Sequence, residues 1–204
     1  MVSAVCLVHC IRWFRGSKSG SSLFVYRRGA DVAYLLLYVD DIILTASSST
    51  LLHNLIASLR TEFSMTDMGD LHYFLGISVT RSKDRLFLSQ EKYALELLDR
   101  AGMLQCKSIS TPVDTASKLS AKSSDPVADP TEYRSIAEGL QYLTFTRPYI
   151  SYVVQQICLH MHDPRANHLI LVKRVLRYIH GTTDYGLTLY RRSSNKLTAY
   201  SDAD

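Results

Sequence analysis

The 204-residue chain sets 23 Lys and Arg against 19 Asp and Glu, for a formal net charge of +4, and 47% of its residues are apolar. That length and composition suit one or two domains with a core of their own and exclude wholesale disorder; no apolar run reaches the ~20 residues of a membrane-spanning helix. The charge is uneven, +5 over residues 1–30, −5 over 31–164 and +4 over 165–204, a pattern that would suit a polyanion gripped from two sides and that chance also produces at chain ends.

In chain order, Met1 to Ile11 is apolar and uncharged yet lacks the basic start of a signal peptide, and residues 1–13 read as an unmatched N-terminal segment. Leu23 to Tyr26 reads as a short strand, and Val32 to Val39 and Ile42 to Ala46 as two β-prone apolar runs. Asp40-Asp41 interrupts them, which predicts a β-hairpin with acids at its tip and strands buried on both faces. Leu52, Leu55, Ile56, Leu59 and Phe63 fall on one stripe of a helix from Ser49 to Phe63. Leu71, Tyr73, Leu75, Ile77 and Val79 then alternate with their neighbours as in a strand, which Ser82 to Arg85 turns back into Leu86-Phe87-Leu88. A helix from Gln90 to Ala101 should end at Gly102 in a left-handed cap.

Residues 114–128 lack periodicity and read as a linker. Beyond them the chain turns helical. Asp129-Pro130-Thr131-Glu132 offers an N-cap, a Pro at the first helical position and an acid in the first turn. That helix should stop near Phe145, before Arg147-Pro148. A second is expected from Tyr149 to Met161. A third, opened by Asp163-Pro164 and ending before Gly181, carries Leu169, Val172, Leu176 and Ile179 inward. Tyr185 to Tyr190 and Leu197 to Ser201 read as a last hairpin. The cysteines Cys6, Cys10, Cys106 and Cys158 lack the paired spacing of a structural zinc site, and free thiols in an intracellular setting are the simpler reading. No signal peptide is expected.

The acid pair carries the most chemistry. Adjacent carboxylates repel one another, and a divalent cation with hard oxygen ligands removes that cost. Two such ions would stabilise the attacking and leaving oxygens of an in-line phosphoryl displacement. An ordinary turn also accepts Asp, so the dipeptide alone leaves both readings open.

The surrounding text is more specific. Tyr38-Val39-Asp40-Asp41, Gly69-Asp70-Leu71-His72-Tyr73-Phe74-Leu75-Gly76, Leu86-Phe87-Leu88-Ser89-Gln90, Ser110-Thr111-Pro112, Leu140-Gln141-Tyr142-Leu143-Thr144 and Tyr200-Ser201-Asp202-Ala203-Asp204 follow in order. The first resembles the Tyr-x-Asp-Asp box of reverse transcriptases. The ordered set resembles the polyprotein of copia-type LTR retrotransposons, from about Phe14 onward. The resemblance implies an α+β fold: a partial palm over residues 14–113, with an antiparallel sheet and helices on one face, then the linker. A helical thumb or connection region over 129–181 and the start of an RNase H domain over 182–204 would follow, the last as an orphan hairpin. It implies an RNA template, a DNA primer and deoxynucleoside triphosphates as partners, no membrane, and Mg²⁺ or Mn²⁺ as cofactor.

Position by position, Asp40 and Asp41 match the palm's catalytic, metal-binding carboxylates, and Tyr38 and Val39 would lie beside the primer terminus. The hairpin with Phe74, Leu75 and Gly76 resembles the primer grip. Asp202 matches the first RNase H carboxylate. A third palm carboxylate and the fingers lie upstream of the matched region in that family, so the chain alone is expected to be catalytically incomplete. The alternative is a non-catalytic nucleic-acid-binding or scaffold remnant.

Lys173, Arg177 and His180 form a row away from the third helix's buried line and could track a phosphate backbone, or could be a solvated face. Tyr142, Phe145, Tyr149 and Tyr152 are expected to pack in the core or between helices rather than stack on bases, and His160, His162 and His168 to lie on the surface. Tyr149 stands where the family usually has Asp, and Glu138 where it has a small residue.

Overall fold

The computed structural model describes residues 13–113 and 124–191. The chain forms two compact units, residues 1–71 and 72–204. The division falls between Leu71 and His72.

The first unit is an antiparallel sheet of β1 (Phe14–Ser17), β2 (Gly20–Arg28), β3 (Asp31–Tyr38) and β4 (Asp41–Ala46), in that order. Only the centre of β2 stands out in the sequence, because Gly16, Gly20 and the intervening serines have little β-propensity. The pairing itself recruits them, with Phe14 opposite Tyr26 and Phe24 opposite Leu35. Alternation along β3 buries Ala33, Leu35 and Leu37. Helix α1 (Ser49–Glu62) adds buried Leu59 to Leu35 and Leu37, with Phe24, Ile42, Leu44 and Phe63 half-buried around them. Ser48 caps α1 by accepting from the Leu51 amide. The expectation of strands buried on both faces fails: Tyr34 is 43% and Tyr38 51% exposed. One helix covers one face, and period-two geometry turns those tyrosines to the other.

The second unit begins with β5 (Tyr73–Phe74), β6 (Ile77–Arg81) and β7 (Arg85–Ser89), again antiparallel. The expected single strand through Leu71 to Val79 is a tight hairpin instead. Phe74 pairs with Ile77, and Leu75 and Gly76 both take left-handed φ, 49° and 79°. Two positive φ values in a two-residue loop match the twist of the flanking strands.

Four helices follow among the described residues: α2 (Glu91–Arg100), α3 (Pro130–Leu143), α4 (Ser151–Cys158), entered through a short 3₁₀ turn at Pro148–Ile150, and α5 (Ala166–His180). Gly102 takes the left-handed cap after α2 at φ 63°, and the Met103 amide donates back to the Leu98 carbonyl. Asp129 accepts from the Thr131 and Glu132 amides, starting α3 where the sequence places it. Leu97, Leu98, Tyr133, Ile136, Leu140, Leu143, Val153, Ile157, Val172, Val175, Leu176 and Ile179 close into one core. Helix α2 therefore belongs with the helices beyond the linker. The linker's last residues are ordered too: Val127 donates to the Pro164 carbonyl and Ala166 to the Asp125 carbonyl, so they strap the start of α5.

The last described strand, β8 (Gly186–Tyr190), pairs along β7, with Gly186 opposite Ser89 and Tyr190 opposite Arg85. This corrects the orphan-hairpin expectation: β8 has a sheet partner about a hundred positions upstream. Glycine permits the pairing, since a Cβ at position 186 would stand 2.2 Å from the Leu88 carbonyl oxygen. The companion strand expected at Leu197 to Ser201 lies outside the described residues.

Candidate functional site

The acid pair sits at the β3–β4 turn, one residue out of the expected register. Tyr38 pairs with Asp41, so Val39 and Asp40 form the two-residue loop and Asp41 opens β4. The correction has a physical origin. Val is a strand former, yet Val39 takes φ 52°, a conformation that costs a β-branched residue on the order of 1–3 kcal/mol. Its side chain is 71% exposed, so burial does not repay that strain. Both carboxylates are exposed, and among the described residues neither has a hydrogen-bond or ion-pair partner.

Exposed, adjacent, unpartnered carboxylates are hard oxygen donors that fit a divalent cation taking water and phosphate oxygens as its other ligands. Among the described residues no group of three His, Cys, Asp or Glu could enclose one. The pair is an open set of donors rather than a closed metal cage.

Phe74, Leu75 and Gly76 form the β5–β6 turn, which α3 supports. The Tyr142 hydroxyl donates to the Leu75 carbonyl. Its ring lies where a side chain on Gly76 would touch it, 3.6 Å from an added Cβ. Tyr93 and Phe145 meet the same ring edge-on, with centroids 5.1 and 5.5 Å away. The aromatics divide, however. Tyr142 is half-buried; Phe145, though 65% exposed, meets its ring, and exposed Tyr149 meets Tyr178 and Tyr185 edge-on, whereas Tyr152 is 67% exposed.

The row on α5 is not a uniform cationic face. Lys173 is exposed, but the Arg177 Nε donates to the Lys107 carbonyl at 2.7 Å. Neighbouring Arg174 donates to Thr111 Oγ1 and to the Val113 carbonyl. His180 is half-buried, and its Nδ1 has no hydrogen-bond partner among the described residues. The two arginines fasten residues 107–113 to the helix. Asp202 lies outside the described residues.

Two residues matter more than their sequence context suggests. Arg147, which reads only as part of a helix stop, is fully buried and donates to Thr182 Oγ1 and the Thr183 carbonyl. Burial pulls its pKa down, and the nearby Tyr149, Tyr178 and Asp184 pull it back up. His168 is also buried rather than on the surface. Its Nδ1 accepts from the Arg165 amide at the start of α5, and its ring stacks on His160 at 3.7 Å. The helix starts at Ala166 rather than at Asp163-Pro164, so Asp163 does not cap it, and no signal in the sequence points to His168 instead.

The Tyr38-Val39-Asp40-Asp41 text thus forms a hairpin tip bearing two exposed carboxylates, on an antiparallel sheet packed against a helix. The family described as reverse transcriptase (RNA-dependent DNA polymerase) matches residues 5–115, which reaches upstream of Phe14, where the resemblance was expected to begin. The chain belongs to the reverse transcriptase family.

It is 48% identical to the retrovirus-related Pol polyprotein from transposon RE1 of Arabidopsis thaliana over 191 residues, 94% of this chain and 13% of that polyprotein. It is 34% identical over 179 residues to the corresponding polyprotein from transposon TNT 1-94 of Nicotiana tabacum, 83% of this chain and again 13% of the relative. An uncharacterised mitochondrial protein of Arabidopsis thaliana is 51% identical over 172 residues, 84% of this chain and 71% of that protein. No solved structure matches. No helix among the described residues is long and apolar enough to cross a membrane.

Proposed function

We propose that this chain contributes the carboxylate hairpin of an RNA-directed DNA polymerase, with Asp40 and Asp41 as metal-binding residues beside the 3′ end of a DNA primer paired to an RNA template. The observation that carries this reading is the exposed, unpartnered acid pair on a strained Val39–Asp40 turn, in a chain of this family. Mg²⁺ or Mn²⁺ held there would stabilise charge developing on the oxygens of the transferred nucleotide's phosphate. The hairpin's own part is to hold two negative oxygens in fixed register with the β3–β4 ladder. Tyr38 and Val39 would flank the primer terminus, the Phe74–Gly76 turn would grip the primer, and residues 129–181 would serve as the thumb or connection region. Residues 182–204, with Asp202, would open an RNase H domain.

As the family resemblance implies a further palm carboxylate, the chain is proposed to bind a hybrid without turning over. The purified chain, given an RNA template, a DNA primer, deoxynucleoside triphosphates and Mg²⁺ or Mn²⁺, should bind the hybrid without extending the primer. Its affinity should fall linearly with salt on logarithmic axes. Template-dependent incorporation that Asp40→Asn abolishes would overturn the incompleteness. Undetectable hybrid binding would overturn the nucleic-acid reading itself.

A further inference from the structure

The turn at Leu75–Gly76 asks for an explanation beyond its own hairpin. Leucine rarely takes a positive φ, and β5 has only two residues to hold the turn in place. A conformation of this kind persists when its surroundings over-determine it. The agent is visible on α3: the Tyr142 hydroxyl donates to the carbonyl of Leu75, the strained residue itself, and the ring lies against Gly76.

Tyr142 is in turn held by the packed helical core of the unit. Tyr93 on α2 and Phe145 just beyond α3 brace its ring edge-on. Helices α2 and α3 approach so closely that a Cβ on Gly139 would stand 2.6 Å from Leu97 Cδ1. Leu140 and Leu143, flanking Tyr142 along the helix, are fully buried in the core. A single phenol therefore ties the tip of the hairpin to a packed helical pair.

We infer that Tyr142 is a positioning residue. Its hydroxyl sets where the Phe74–Gly76 turn stands relative to the helical core, and through that turn it sets the placement of the primer 3′ end. The inference rests on reading the turn as a primer grip. The hydroxyl is the informative atom because removing it leaves the ring, the aromatic contacts and the core unchanged.

The test compares the full chain with Tyr142→Phe. The first readout is amide exchange at residues 75–77, which should quicken about tenfold on loss of one hydrogen bond to a turn, while the melting temperature of the unit hardly moves. The second is photo-cross-linking from a thio-substituted 3′-terminal nucleotide of a primer on an RNA template. Cross-links to residues 73–77 should fall severalfold at unchanged hybrid affinity. Unchanged exchange and unchanged cross-linking would overturn the inference. A wild-type chain that binds the hybrid yet never cross-links to 73–77 would instead overturn the primer-grip reading, with the exchange arm still testing the tie.

Adding Leu75→Asn to Tyr142→Phe separates position from turn shape, because Asn-Gly favours this turn by itself. The double variant should regain slow exchange without regaining the cross-link. A restored cross-link would show that the phenol acts on turn shape alone and would contradict the positioning role.

Discussion

Residues 13–71 and residues 72–191 solve the burial problem differently. In the first unit Leu35, Leu37 and Leu59 form the buried centre, half-exposed side chains surround it, and the sheet's other face carries Tyr34 and Tyr38 in the open. In the second, four helices close a continuous core from Ala94 to Ile179, and a sheet strand is recruited across about a hundred positions of sequence. The acid pair stands on the thinner of the two frameworks. Its geometry is a matter of strand register and one strained turn, whereas the Phe74–Gly76 turn is tied to a deep core through Tyr142. The first arrangement depends on local strand register, the second on one tie to a packed core.

A matched pair of substitutions is the strongest way to break that comparison. Leu140 is completely buried among core side chains, and Leu140→Ala should destabilise the second unit by about 3–5 kcal/mol. Leu59 already borders a cavity of about 210 Å³, lined also by Trp13, Phe14, Leu55 and Phe63, so less packing is lost there. Leu59→Ala should cost the first unit roughly 2 kcal/mol. Trp13, the chain's single tryptophan, reports on the first unit by fluorescence, and far-ultraviolet circular dichroism reports mainly on the helices of the second. Equal losses at the two sites would erase the distinction.

Between these in size lies Gly186→Ala. The added methyl meets a backbone oxygen and the Phe87 ring, which cannot both give way, so β8 should lift from β7 at a cost of roughly 3 kcal/mol. Faster amide exchange confined to residues 85–90 and 186–190 would confirm it, and undisturbed exchange would refute the pairing.

Alkaline pH gives the smallest effect. Burial raises the phenol pKa values of Tyr133, Tyr149 and Tyr178 above the ordinary 10.0. The folded state thus favours the protonated phenol. The stability this contributes is complete below pH 10 and is lost as pH climbs through the raised values. The second unit's urea midpoint should hold steady to about pH 10 and then decline. Tyr133→Phe, which also gives up the hydrogen bond to the Ile157 carbonyl, should flatten that decline.

What could be read from the sequence was what local chemistry decides. Asp129-Pro130 begins a helix through its own cap, Gly102 ends one, and the stripe from Leu52 to Phe63 needs only one apolar face to pack on. The misreadings share a dependence on distant partners or on conformations that the residue type disfavours. The apolar alternation of the sequence runs on through Leu75-Gly76, yet the two-residue turn pairs Phe74 with Ile77 and exposed Tyr73 with Ser78, so it shifts the phase and hides the turn. Val39 carries no turn signal, so the tip was placed one residue late. Nothing near Gly186 announces a partner at Leu88, and nothing near Arg147 announces the buried acceptors at Thr182 and Thr183. The acid pair itself was legible from its box and flanking motifs, while the freedom of its carboxylates and the strain beneath them needed the fold.

The proposed role of Asp40 and Asp41 as metal ligands is tested by paramagnetic broadening with Mn²⁺. Titrated into the full chain with an RNA template and a 3′-terminated DNA primer, Mn²⁺ should broaden the amide resonances of residues 38–42 first. Replacing both acids by asparagine should abolish that broadening and leave the fold intact. Broadening that spares the hairpin, or that persists unchanged in the doubly substituted chain, would contradict the assignment.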